Sequence, residues 1–581
     1  MGGGLVVTAT GGRSTDYNSK PTVYVFVLCL VASSAGALFG YDLGITGGVT
    51  SMPNFLEKFF PSTYAKNQEH QALIDGGEIA NNPYCTYNDM KLQAFTSTLF
   101  LSGLVFAIIA NWSTKWYGRR FTMITAGAAF IVGAFLMAFA QNLPMLVVGR
   151  AFLGWGVGFA NQSAPLYLSE MAPAQLRGAL NIGFQMATTL GILVAGLINY
   201  GTQHMDKPGQ LAGWRLSVGL AIVPALVLFF GGLLLPDTPN GLISRGKVQE
   251  GRRVLERVRG TKSVDAEFTD ICEAVEVSKA ISGKWRALFS KKYRGVLAVS
   301  VLIPFFQQFS GINTIMFYAA ELFQVLGSGQ NSSLLNTVII GAVNVASTVV
   351  AIVMVDRFGR KLLFVEGGIQ MLVCFIAVAA IMGASFNTQT GHIANGPAAA
   401  IIVFECLFTA GFAWSWGPLG WLVPSEVHSI ETRSLGMSIA TCSNFLFSFI
   451  IGQWYLTMLC SMEYGTYIFF AFWVVMMTLY VIFFLPETKG VPVEEMGFIW
   501  RRHWFWKNVI MTPAERAAFE KGDVTATGMT AAEIEGDLPG KASDAAVPQV
   551  ARLSMAGEYV KPANAPEALG AVNTINTDYK V

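Results

Sequence analysis

Charge is what this sequence has least of. Asp, Glu, Lys and Arg make up 13% of its residues, about half the share of a soluble globular chain, whereas 53% are hydrophobic and the mean hydropathy is +0.47. No water-soluble fold of 581 residues hides that much apolar surface. The five His and seven Cys stand at no metal-binding spacing, so no metal site is expected. There is no Gly-rich nucleotide motif and no nucleophile–base signature, and an enzyme reading finds no support. A net charge of +2 gives no reason to expect nucleic acid as a partner. The first apolar stretch lacks a basic leader and a nearby small-residue cleavage site, so it reads as a retained helix.

What the chain has instead is long apolar runs, near 22–46, 92–111, 121–140, 145–167, 181–201, 213–235, 294–324, 335–355, 362–383, 397–424, 434–460 and 464–485. Each approaches or exceeds the roughly 20 residues that span a bilayer. Backbone groups in lipid must satisfy one another, so twelve transmembrane helices are predicted. The segment between runs six and seven carries Arg245, Lys247, Arg252, Arg253, Arg257, Arg259 and further Lys and Arg, and the loop after run two carries Lys115, Arg119 and Arg120. The loops after runs three, seven, nine and eleven have neither Lys nor Arg. The positive-inside rule then predicts a multi-pass protein in the lipid bilayer with both termini cytoplasmic.

The runs fall into two sets of six. Gly118-Arg119-Arg120 recurs as Gly359-Arg360-Lys361, Glu170 with Arg177 recurs as Glu426 with Arg433, and Pro236-Asp237-Thr238 recurs as Pro486-Glu487-Thr488. Two pseudo-symmetric six-helix bundles with a site between them suit alternating access. The expected organisation is a cytoplasmic tail at 1–21, a bundle at 22–235 with an extracellular lid at 47–91, and an amphipathic cytoplasmic linker at 236–293. A second bundle follows at 294–487 and a cytoplasmic tail at 488–581, largely disordered after about 510.

Several polar residues lie inside the apolar runs. Asp42, near the outer end of run one, and Arg150, at the outer start of run four, have similar expected depth and can pair. An ionisable residue at that depth is costly and reads as functional, although a static ion pair that only fixes helix packing is the other reading. Gly36, Gly40 and Gly44 form a small-residue face for close helix packing, with Asp42 turned away from it. Gln185, Gln307, Gln308, Asn313, Asn344 and Asn444 are uncharged amides suited to the hydroxyls of a neutral polar ligand or, singly, to holding helices together. Gln308 and Asn313 would be about 140° apart on an unbroken helix, and Gly311 between them suggests an unwound turn. Cys85 in the lid and Cys460 at the outer end of run eleven are the outer cysteines, either bonded or free. Glu405, about two turns inside run ten, is either an ionisable functional site or simply paired.

Taken together, Glu170, Arg177-Gly178, Gln307-Gln308, Gly311-Ile312-Asn313, Pro424-Ser425-Glu426 and Pro486-Glu487-Thr488-Lys489-Gly490 resemble the sugar porter family of the major facilitator superfamily over about residues 20–500. Gly411 to Pro418 and the lid look closest to the plant and green-algal monosaccharide/proton symporters. The resemblance implies an all-α major facilitator fold. It implies proton-coupled import of a hexose, glucose first, across the plasma membrane by alternating access. The partners would be the monosaccharide and H+, with no cofactor, the proton gradient as drive and a monomer sufficient. It implies Asp42 as the proton site beside Arg150, sugar contacts from the six amides with Phe39 and Trp421, and a Cys85–Cys460 bond. It also implies a cytoplasmic gating network of Arg119, Arg120, Glu170, Arg177, Asp356, Arg360, Glu426 and Arg433. The chain departs from the family pattern at Lys115, where Asp is usual, and at Asp237, where Glu is usual. An uncoupled hexose uniporter and a non-transporting sugar sensor are the competing readings.

Overall fold

The computed structural model describes residues 22–76, 83–173, 177–205, 212–280, 288–325, 329–385, 395–428, 432–489 and 496–520. The expected N-terminal tail at 1–21 and the tail beyond 520 lie outside the described residues. Two compact units are distinguished, Met1–Pro513 and Ala514–Val581. Of the second only 514–520 is described, as the body of a helix, Pro513–Glu520, where an irregular chain was expected. Pro at its first position and Glu515 in its first turn favour a helix start.

Twelve helices among the described residues are long and apolar enough to span a membrane. In the first half they are Val23–Val49, Met90–Trp116, Arg119–Ala138, Leu143–Met171, Gly178–Met205 and Gly213–Leu234. In the second they are Lys291–Gln324, Gln330–Phe358, Arg360–Ser385, Gly396–Glu426, Arg433–Met462 and Gly465–Phe484. Each coincides with one apolar run, and most extend beyond it because polar ends continue the helix past the lipid. Thr22, Asp89 and Asn142 accept from backbone N–H groups at the starts of the first, second and fourth spans.

The first span packs tightly on the fifth. A Cβ at Gly36 would stand 2.2 Å from Phe184 O, and one at Gly40 only 1.9 Å from Thr188 O. The small-residue face is thus used as the sequence suggested, and it leaves Asp42 facing the fourth span.

The repeated motifs do equivalent work in the two halves. Gly118 and Gly359 have φ of +97° and +88° and begin the third and ninth spans. Asp237 accepts from Arg119 N at 3.2 Å, and Glu487 accepts from Arg360 N and Lys361 N at 2.9 Å. The shorter Asp237 therefore still reaches the helix start, and this departure from the family pattern changes little.

The lid holds helices Pro53–Phe59 and Pro61–Gly76 and the turn Pro83–Cys85. Phe55 and Phe59 pack edge-on against Trp214 of the sixth span. The linker forms helices Pro239–Ser244, Val248–Arg259 and Asp265–Ala280. It docks under the first half, where Arg259 donates to Met171 O at 2.8 Å and Thr22 donates to Val258 O at 3.2 Å.

Candidate substrate and proton sites

Asp42 and Arg150 meet in the interior, 3% and 1% exposed. Arg150 Nη1 lies 2.9 Å from both carboxylate oxygens. Nη2 donates to Thr46 Oγ1 at 2.6 Å, and Thr46 donates to Asp42 O at 2.7 Å. The guanidinium also sits 4.2 Å from the centre of the Phe95 ring. Each charge is thus compensated locally. Removing one partner would strand the other, at a typical cost of about 3–5 kcal/mol.

The amides gather mainly in the second half. The seventh span breaks at Gly311, whose φ is +82°, between helices Arg294–Phe309 and Ile312–Val325. That break brings Asn313 round to donate to Gln308, and Asn313 lies 3.2 Å from Ser448 Oγ. A Cβ at Gly311 would stand 3.0 Å from Phe470 and 3.1 Å from Phe375, so a larger residue would be strained and crowded. Asn444 donates to Gln307 Oε1 at 2.8 Å, and Gln307 donates to Trp416 O at 2.9 Å. A Cβ at Gly420 would fall 2.3 Å from Gln307 Nε2, so glycine makes room for that amide. Gln185, on the fifth span, lies beside Gly417.

Asn444 Oδ1 and Asn344 Oδ1 are buried without a hydrogen-bond partner among the described residues. Such atoms are costly unless something fills the space with donors, and sugar hydroxyls are donors of that kind. Phe39 packs edge-on against Phe445, next in sequence to Asn444, and Trp421 packs edge-on against Phe184. The structure joins Gln307 with Asn444 and Gln308 with Asn313. It joins neither Asn344 nor the two aromatics to these amides by a direct hydrogen bond or ring contact among the described residues.

All these side chains are buried, and the halves touch on both sides of them. On the outer side Ser97 donates to Gln453 Oε1 at 2.7 Å and Tyr87 donates to Gln324. On the inner side Asn181 donates to Ser425 Oγ at 3.0 Å and Ser434 donates to Asn111 Oδ1 at 3.1 Å. The two halves are therefore in contact on both sides of the buried amides.

At the end of the bundles that carries the repeated motifs, part of the residue set expected to form a gating network is in contact. Arg119 pairs with Glu170 at 2.7 Å, while Arg360 pairs with Glu426 at 2.8 Å and Asp356 at 3.2 Å. Arg120 does not join the acids; it donates to Gly232 O at 3.2 Å at the end of the sixth span. The Arg177 side chain lies outside the described residues. Arg433 is buried. Lys115 is exposed and in no ion pair among the described residues, so the first half lacks the acid that Asp356 supplies in the second.

Cys85 and Cys460 form a disulfide with Cα atoms 4.5 Å apart, tying the lid to the eleventh span. Glu405 accepts from Tyr467 OH at 3.2 Å, and its other oxygen has no partner among the described residues. Sequence reasoning missed Glu321 and His428. His428 lies just beyond the tenth span, two residues after Glu426, with Nε2 2.6 Å from Ser300 Oγ. Burial, aided by Arg433, pushes it down to about 3, so it stays neutral at working pH.

Twelve membrane-length helices, a buried ion pair in one half, a set of buried amides in the other and contacts between the halves on either side define a twelve-helix transporter of the major facilitator type. The profile of the family described as Sugar (and other) transporter matches residues 28–500, and the chain belongs to that family. It is not an enzyme. It is 51% identical to Sugar transport protein 10 of Arabidopsis thaliana, over 88% of this chain and 97% of that one. It is 50% identical to H(+)/hexose cotransporter 2 of Parachlorella kessleri, over 94% of this chain and 99% of that one. Among solved structures it resembles the proton:xylose symporter XylE bound to 6-bromo-6-deoxy-D-glucose, with a TM-score of 0.69 and 26% identity over 83% of this chain and all of that one.

Proposed function

We propose that this chain is a symporter that carries a hexose, glucose first, inward across the plasma membrane together with a proton. Both termini are cytoplasmic in this reading, and one copy suffices. The observation that carries it is the Asp42–Arg150 pair, buried beside Thr46. Similarity to the Parachlorella cotransporter supports the choice of hexose and proton.

In the outward-facing state Asp42 exchanges protons with external water. Protonation weakens its hold on Arg150, and sugar binding against Gln185, Gln307, Gln308, Asn313, Asn344 and Asn444 favours closure of the halves. Phe39 and Trp421 offer apolar faces to the C–H side of the ring. A neutral hexose suits this lining, since each hydroxyl must exchange water for a protein partner and an unpaired one costs about 1–3 kcal/mol. Arg119 with Glu170, and Arg360 with Asp356 and Glu426, hold the cytoplasmic mouth shut until the sugar is enclosed. No cofactor enters this scheme; the proton gradient drives it.

Proton flux tests it directly. In proteoliposomes holding an internal pH dye, external glucose should acidify the lumen. Sugar uptake without acidification would mean an uncoupled uniporter, and no uptake of any hexose would leave the sensor reading.

A further inference from the structure

Glu321, near the outer end of the seventh span, is a buried acid that the scheme above leaves unused. It is 1% exposed, and no Lys, Arg or His among the described residues pairs with it. Its Oε1 lies 2.5 Å from Thr50 Oγ1, and its Oε2 has no hydrogen-bond partner among the described residues. Thr50 ends the first span, so this contact crosses between the halves at the outer gate.

Counting protons makes the contact informative. The Thr50 hydroxyl also lies 2.7 Å from Thr46 O. A hydroxyl carries one proton and a backbone carbonyl can only accept. Both contacts are satisfied together only when Glu321 is neutral, donating to Thr50 Oγ1 while Thr50 donates to Thr46 O. An ionised Glu321 would need the Thr50 proton for itself and would still leave a buried charge with one hydroxyl for support, which is costly.

The surroundings supply no cation. The titratable groups that face Glu321 are Tyr87 of the lid, Tyr455 of the eleventh span and Tyr318 on its own helix. Beyond Thr50, the Thr46 carbonyl accepts from Thr50 and the Thr46 hydroxyl receives Arg150 Nη2 at 2.6 Å, so Thr46 stands between Glu321 and the Asp42–Arg150 pair.

We propose that Glu321 is a second proton-binding residue of the transport cycle, one that makes closure of the outer gate depend on protonation from outside. Neutral Glu321 seats against Thr50 and the gate closes; ionised Glu321 draws water and holds it open. Its proton comes from external water and returns there on reopening, so it adds no transported charge. The proposal rests on the proton-coupled reading for its purpose, but the gate can be observed without transport.

The test is amide hydrogen exchange of the segment 312–325 in the purified full chain in lipid bilayers, without sugar. Rates are taken at about pH 5.5 and about pH 7.5 and corrected for intrinsic exchange. The intact chain should exchange about tenfold or more faster at the higher pH. Glu321→Gln and Glu321→Val, both permanently neutral, should stay slow at both. The same pH step in the variants, or no step in the intact chain, overturns the proposal; two variants guard against one that misfolds. Hexose accumulation by the intact chain is measured alongside. Its failure with the gate step present would sink the symport reading and leave the gate.

Discussion

In the first half of the molecule the buried polar chemistry is charged, Asp42 directly against Arg150 with Thr46 beside them. In the second it is mostly neutral, with Gln307 bonded to Asn444 and Gln308 to Asn313 around a helix broken at Gly311. On the proposed reading, two halves built on one plan take different tasks, the transported proton in the first and five of the six candidate sugar amides in the second. Coupling has to cross the interface, which is why the links between halves matter as much as either site.

The largest effect that would break this division comes from Arg150→Ala. It should cost about 3–5 kcal/mol by stranding buried Asp42, seen as a lower melting temperature together with loss of sugar accumulation. A variant that folds and accumulates normally would reduce the pair to ordinary packing.

Next, Cys85→Ser frees the lid of the first half from the second. Loss of so long a covalent loop should cost about 2–4 kcal/mol, measured by thermal unfolding under non-reducing conditions, while reductant should do the same to the intact chain and nothing further to the variant.

Gln307→Ala should sharpen the contrast by raising the KM for glucose about fivefold to a hundredfold, one or two hydrogen bonds of about 1–3 kcal/mol, while proton dependence persists. Loss of the proton dependence with an unchanged KM would place the division elsewhere.

The smallest effect compares the cytoplasmic pairs. Arg360 holds two acids and Arg119 one, because Lys115 stands where the first half would need an acid. Arg360→Ala should therefore destabilise the closed mouth more than Arg119→Ala, by about 1 kcal/mol, read as a greater rise in labelling of a cysteine placed in the inner cavity.

Much of the fold was legible because its signals are local and repeated. Twelve apolar runs, their basic flanks and the three paired motifs each stand in the sequence, and each run became a span. The turn at Gly311 was legible too, since Gln308 and Asn313 could not face one ligand on an unbroken helix. What sequence could not show depends on side chains far apart in the chain. Arg120 reads like its neighbour Arg119, yet it turns to the backbone carbonyls at the end of the sixth span. Glu321 looks like an ordinary acid near a helix end until Thr50 and the lid enclose it. Likewise, nothing local says that Glu405 meets Tyr467 from the twelfth span.

The central claim, that the proton passes through Asp42, is tested most directly by replacing it with Asn and following labelled glucose in two assays. One is uptake at about pH 5.5 and about pH 7.5 with and without a protonophore, and the other is exchange at equal sugar on both sides. The account predicts that the intact chain concentrates glucose, more so in acid, and loses this with the protonophore, whereas Asp42→Asn keeps exchange and accumulates nothing. Accumulation by Asp42→Asn with the same pH dependence as the intact chain would contradict it.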